Sequence, residues 1–328
     1  MPSLHRSLFM APFALLAIAA LSACSGLGPQ HYSTWQTDQP YGVAAQVAVP
    51  PASIDFHGIP VRDGQLVVSE QGSPLSLLMS LLIADAAPWI HIGIIAIDNG
   101  VPYLYETNGQ IHPTWSSPPT AAVGGGMRRM TLEWFVANQT FIAIYASPGG
   151  ADPEKIVEFA RQSYAQHIPF DAYFDLSDAS RMYCTEFVAL ALAAADAPPV
   201  QASALNSNPS IRVIADWLQL RADALMPAGA LVEHSERVAL ISKGHNPAQF
   251  SAYFSLKREL HRRFTADQTV GNVLSFSTFT GLGFQPPVRE VIRAVDRAAQ
   301  DWESLSEAEI DARVWQIANQ TLGTWKPE

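Results

Sequence analysis

Cysteine is scarce in this chain: 328 residues carry two, Cys24 and Cys184. No CxxC, HExxH or calcium-loop pattern occurs, so no local motif builds a metal or redox centre, and a metal site would have to be assembled from scattered residues. Positive charge is also short. Against 30 Asp and Glu there are 20 Lys and Arg, a formal net charge of −10, which argues against a nucleic-acid partner because phosphate binding needs concentrated basic residues. After the first residues no apolar run reaches membrane-spanning length. No internal repeat is evident. Gly124, Gly125 and Gly126 are followed neither by Lys-Ser/Thr nor by a helix start, so they read as a flexible loop rather than a phosphate cradle.

Each cysteine stands where sulfur is used chemically rather than paired. Residues 1–24 read as an export signal, with basic Arg6, an apolar core over 8–21 that is too short to span a bilayer, and small residues Ser22 and Ala23 before Cys24. That ending resembles the lipobox of bacterial lipoproteins, in which the thiol matching Cys24 takes a diacylglyceryl group and the new amino terminus a third chain, enough for stable anchoring. The alternative is an ordinary cleaved signal with an incidental cysteine. By the same resemblance Ser25 favours the outer membrane, with the body facing the periplasm. If Cys24 is acylated, one thiol remains and no internal disulfide can form.

Residues 25–53, rich in Gly, Pro, Ser, Gln and Ala, read as a tether. Structure is expected from 54 onward: a strand at 65–69, a helix over 75–85 started by Ser73-Pro74, and a further strand at 141–145. Asp152-Pro153-Glu154 is a strong helix start, predicting a helix to about His167. Further helices are expected over 181–196, over 210–224 with Ile211, Ile214, Trp217 and Leu218 on one face, and over 247–263, 286–300 and 305–321. Residues 90–98 and 101–106 read as two strands joined by Asn99-Gly100, which suits a type I′ turn. Pro102 lacks an amide hydrogen, so its strand is an edge there or bulged.

The hairpin places two polar residues together. With Asp98 paired to Val101, Gly93 lies opposite Glu106 and His91 opposite Asn108, so His91 and Glu106 are diagonal neighbours on one face, about 7–8 Å apart between backbones. Gly93 leaves room between them. A bulge at Pro102 would turn Glu106 to the other face and make Asn108 the partner of His91. Cys184 falls near the start of its helix if Asp178 or Ser180 is the cap, where the free amides favour a thiolate. A thiol beside an imidazole that is oriented by a third polar group is the arrangement of a cysteine hydrolase. Taken singly, each residue also fits a structural role. His112, in a proline-flanked loop, is a weak candidate.

These residues carry a family resemblance. His91-Ile92-Gly93-Ile94, then Tyr105-Glu106, then Tyr183-Cys184-Thr185-Glu186-Phe187-Val188 resemble the motifs of the permuted papain-like amidases of the YiiX and YaeF type, related to the NlpC-like cysteine peptidases. Thr185 stands where Ser is commoner, and Gln65 where the family has Asp. The likeness covers residues 54–243; the tail over 244–328 has no counterpart. It implies an α+β, circularly permuted papain-like (NlpC-like) fold, with an antiparallel sheet packed against helices and an added C-terminal helical region. It further implies Cys184 as nucleophile, His91 as base, Glu106 orienting the ring, Tyr173 as a loose candidate donor to the oxyanion, and no cofactor.

The expected activity is therefore cleavage of an amide, in a peptide or amino-acid amide, through an acyl-enzyme. Acyl transfer or ester cleavage on lipid is the runner-up, and a catalytically idle binding lipoprotein is a third reading. The expected partners are an amide- or ester-bearing envelope substrate and the membrane reached by the N-terminal lipid. Sequence does not assign the oligomeric state or the role of the tail. Arg258, His261, Arg262 and Arg263 there could touch anionic lipid or form a solvated helix face.

Overall fold

Alternating apolar residues between turn signals make one antiparallel sheet. The computed structural model describes residues 41–44, 53–109, 125–267, 270–277 and 281–323. Among them seven strands form this sheet: β1 (Tyr41–Ala44), β2 (Leu66–Glu70), β3 (His91–Asp98), β4 (Val101–Gly109), β5 (Gly125–Thr131), β6 (Phe141–Tyr145) and β7 (Arg237–Ser242). Their spatial order is β1-β7-β6-β2-β3-β4-β5, and every neighbouring pair is antiparallel. The longer helices among the described residues are α1 (Pro74–Leu81), α2 (Leu132–Ala137), α3 (Pro153–Ala165), α4 (Cys184–Ala194), α5 (Pro209–Trp217), α6 (Pro247–Asp267), α7 (Pro286–Ala299) and α8 (Glu307–Leu322). The class is α+β.

Asn99 and Gly100 both take positive φ, 52° and 79°, as a type I′ turn requires. The register runs without a bulge from Asp98↔Val101 through Ile97↔Pro102 to Ile94↔Tyr105. Pro102 is tolerated because β5 covers β4 only from Tyr103 onward, leaving the proline on an open edge. Alternation then divides the sheet's residues. Leu66, Val68, Ile92, Ile94 and Ala96 pack with Ile156 and Ala160 of α3 and Phe187, Val188 and Ala191 of α4. Val67, Ile95, Leu104, Ile142 and Ile144 pack instead with Leu132 and Phe135 of α2.

Local signals start the helices as expected in several places. The Ser73 hydroxyl accepts from the Ser76 amide at 3.1 Å, with Pro74 at the first turn. The Asp152 carboxylate accepts from the Glu154 amide at 2.9 Å, and Ser306 and Glu309 form a capping box on α8.

Other expectations are corrected. The helix expected to reach 85 stops at Leu81 because the next residues turn to a partner strand segment: Ile83 bridges Leu205, and the Asn206 amide donates to the Leu82 carbonyl at 2.8 Å. The helix expected over 210–224 ends at Trp217, which is 42% exposed rather than on the buried face. The expected glycine loop instead opens β5 at Gly125 and Gly126; Gly124 lies outside the described residues. A Cβ on Gly125 would sit 2.3 Å from the Asn108 carbonyl oxygen and one on Gly126 would sit 2.7 Å from that of Ile168, so glycine here permits close backbone approach.

Two features bear on the boundaries at 53 and 244. Tyr41–Ala44, inside the stretch read as a tether, pair with β7 as an edge strand. The tail is also not a separate body. Leu256, Leu260, Val291, Val295 and Val314 share one core with Leu75, Leu78, Leu82, Ile211 and Ile214. Full burial of such a side chain contributes about 1.5–3 kcal/mol, so removing the tail would strip the apolar cover from α1 and α5. Its central contact is polar. Lys257 of α6, 3% exposed, pairs with Glu70 of β2, 0% exposed, and also donates to the Pro88 carbonyl at 2.8 Å.

Candidate active site

Cys184 is the first residue of α4, with Tyr183 as an extended N-cap at φ −95° and ψ 170°. The helix therefore begins three residues later than the expected start near Arg181. Asp178 does not cap it; that carboxylate accepts from the Ser180 amide at 3.1 Å within its own turn. The later start suits chemistry better, because the sulfur then stands in the first turn among amides that no helical carbonyl engages. Glu186 accepts from the Tyr183 amide at 3.3 Å. Burial, opposed by that amide and reinforced by Asp171, Asp178 and Asp175, pushes the Glu186 carboxyl up to about 7. Phe187, Val188, Ala191 and Leu192 bury the inner face of α4 and so fix the half-buried Cys184, whose Sγ lies 3.9 Å from the Ile90 carbonyl oxygen.

That carbonyl immediately precedes His91, the first residue of β3. The His91 Nε2 lies 2.5 Å from Glu106 Oε2, with side chains 16% and 1% exposed. Arg128, directly across from Glu106 on β5, binds Oε1 through Nε at 3.1 Å and through Nη2. Burial alone would disfavour charge on both acid and imidazole, and it is overcome in each case. His91 first, and Arg128 after it, hold the Glu106 carboxyl down at about 2. For His91, burial pulls down while Glu106 and then Cys184 raise the imidazole to about 10, with hydrogen bonds to both. An ionised Glu106 can only accept, so Nε2 carries a proton and Nδ1 is the nitrogen free to exchange one with sulfur.

The structure thus brings together three of the residues singled out in sequence. Gly93 is needed for more than the space expected of it: a Cβ there would meet the Tyr105 carbonyl oxygen at 2.8 Å and Leu104 Cδ1 at 3.0 Å. Asn108 pairs with Gly126 on β5, and the acceptor for His91 is Glu106. Tyr173 is not among the residues around the cavity at Cys184, where the aromatic walls are Trp89, Phe174 and Tyr183. Its ring instead lies under the Arg221 guanidinium, 4.3 Å from ring centre to Cζ. Cys24 and His112 lie outside the described residues. Of the tail cluster, His261 and Arg263 are buried, the latter on Glu259 at 2.7 Å, and Arg258 pairs with Asp311 at 2.8 Å.

Sequence reading missed Arg128. No local signal marks it, because Met127-Arg128-Arg129-Met130 lacks the alternation of a half-buried strand and the glycines before it read as a loop. Among the described residues no group of three or more His, Cys, Asp or Glu side chains is arranged to hold a metal ion, and no helix there is long and apolar enough to cross a membrane.

No family model and no curated protein matches the sequence. Among solved structures the chain is similar to one described as the metalloprotein YiiX from Escherichia coli O157:H7, DUF1105, at 17% identity and a TM-score of 0.40, over 56% of this chain and 97% of that one.

Proposed function

We propose that the protein is a cysteine hydrolase that cleaves an amide through Cys184, His91 and Glu106. The observation that carries this reading is the placement of Cys184 at the first position of α4, acting on an imidazole whose other nitrogen is 2.5 Å from a buried carboxylate. Glu106 sets one negative charge against two positive ones, imidazolium and Arg128, and a thiolate at 184 brings the group to neutrality.

In the resting pair the Cys184 proton stands on His91, and the thiolate attacks the substrate carbonyl carbon. The Cys184 backbone N–H, at the helix start, donates to the resulting oxyanion. As the carbon–nitrogen bond breaks, imidazolium returns its proton to the departing amine and leaves a thioester. Water then attacks the thioester while His91 accepts one of its protons, and collapse releases the carboxylic acid and restores the thiol. Throughout, Glu106 accepts from Nε2 and stabilises the charged ring. The chain order His91, Glu106, Cys184 supports a permuted papain-like reading of the fold, and the leader ending in Cys24 supports a lipid-anchored protein of the bacterial envelope, with substrates there.

The test is Cys184→Ala. It should abolish both hydrolysis of acyl amides and labelling at position 184 by iodoacetamide while leaving the folded state intact. Turnover surviving in that variant would refute the proposal.

A further inference from the structure

We infer that the cavity beside Cys184 receives the acyl side of the substrate and selects a short, uncharged aliphatic acyl group. The inference rests on the hydrolase reading above and names its substrate class. Met79 of α1, Ile83 and Trp89 of the α1–β3 connection, Phe174, Leu225 and Met226 wall this cavity, and Cys184 forms part of its surface. Among the described residues no Asp, Glu, Lys, Arg or His contributes to the walls. The Tyr183 hydroxyl among them already accepts from the Met226 amide at 3.4 Å. A carboxylate or ammonium carried into such walls would lose water and meet no group of opposite charge, the Tyr183 and Thr185 hydroxyls being the polar side-chain groups there.

The division of the substrate follows from where the proton donor stands. His91 must reach the departing nitrogen, and His91 is not a wall of this cavity. The leaving amine therefore occupies the His91 side of the sulfur, and the part retained in the thioester occupies the apolar side. One wall is packed from behind. Trp89 is 7% exposed, with its ring 4.5 Å from that of Phe254 and 6.0 Å from that of Phe250, both on α6. The tail helix therefore braces one wall, which gives the C-terminal region a part in substrate selection.

The experiment uses the full chain carrying Cys24→Ser, so that Cys184 is the sole thiol, and a series of methanethiosulfonates. These probes transfer an alkylthio group to the sulfur and expel methanesulfinate, so the transferred chain enters the acyl site. Labelling of Cys184 is followed by mass spectrometry, and each rate is divided by that with free cysteine. Burial of each methylene is worth roughly fourfold, so in a cavity of about 50 Å³ the normalised rate should rise about tenfold from methyl to propyl and fall for a sulfonatoethyl reagent. Met226→Asp should bring the propyl-to-methyl ratio close to one. A flat series, or a preference for the charged reagent, in the Cys24→Ser protein itself overturns the inference without touching the hydrolase reading. That reading is checked separately by His91→Ala, which should slow every reagent alike. If it slows none, the catalytic pairing fails whatever the chain-length ratio shows.

Discussion

His91 Nε2 and Glu106 Oε2 lie 2.5 Å apart across the β3–β4 ladder, while Arg128 engages the other oxygen of the same carboxylate. A nearly inaccessible carboxylate is thus shared between a titratable ring and a permanent cation, and the state of the ring follows the charge of the acid.

Glu106→Gln keeps the size of the side chain and removes its charge. The His91 imidazole, held at about 10 in the intact site, should then titrate at lower pH, and kcat/KM should drop on the order of 10²–10⁴-fold. NMR titration of the ring, with hydrolysis rates alongside, checks both parts. An unmoved ring would mean that the carboxylate does not govern it.

The pair also predicts how stability varies with pH. His91 is raised from 6.5 to about 10, so its stabilisation is complete below 6.5 and is lost as pH climbs through the folded value. Glu106 is lowered from 4.5 to about 2, so its stabilisation is complete above 4.5 and is lost as pH falls through the folded value. The gap in Tm between the intact protein and Glu106→Gln should be widest between pH 4.5 and 6.5 and should narrow on either side. Thermal unfolding across pH gives the measurement, and a constant gap would contradict it.

Gly93→Ala tests the close approach of β3 to β4. The added methyl meets the Tyr105 carbonyl oxygen at 2.8 Å, and backbone in a sheet cannot move aside as a flexible side chain can. A loss of about 1–3 kcal/mol is expected in urea unfolding. Activity should fall further than that loss explains, since the strain lies between the residues carrying the imidazole and the carboxylate. Full activity in a destabilised variant would separate the two.

Lys257→Met leaves Glu70 buried and charged, with Tyr253 donating at 3.0 Å but no cation beside it, and should cost about 3–5 kcal/mol. Adding Glu70→Gln should restore much of that. Because Lys257 also donates to the Pro88 carbonyl at 2.8 Å, beside Trp89, tryptophan emission should shift in the single variant even where it remains folded. Additive effects in denaturant would argue against a coupled pair.

Much of the local architecture was legible because its causes lie within a few residues. Asn99-Gly100 selects one turn, and alternation from that turn puts His91 and Glu106 on a common side. Ser73-Pro74, Asp152-Pro153 and Ser306 mark helix starts through side chains that satisfy nearby amides. What was misread has a common reason. The span after Leu81 follows helical spacing, yet Leu205 and Asn206, distant in sequence, end that helix. Gly125 and Gly126 look like a flexible loop until Asn108 and Ile168 are seen packed against their missing side chains.

The sequence by itself determined the hairpin, the helix-capping signals and a short inventory of residues able to do thiol chemistry, since turn geometry, capping and side-chain period operate over neighbouring positions. Tertiary structure alone decided that α4 begins at Cys184, that Arg128 faces Glu106, that the sulfur approaches Ile90 and His91, and that α6 braces Trp89. Those relations join segments well apart in the chain, 22 residues for Arg128 and Glu106 and 94 for Cys184 and Ile90. Their geometry is set by how apolar faces pack and how buried charges find partners, and no local rule encodes either.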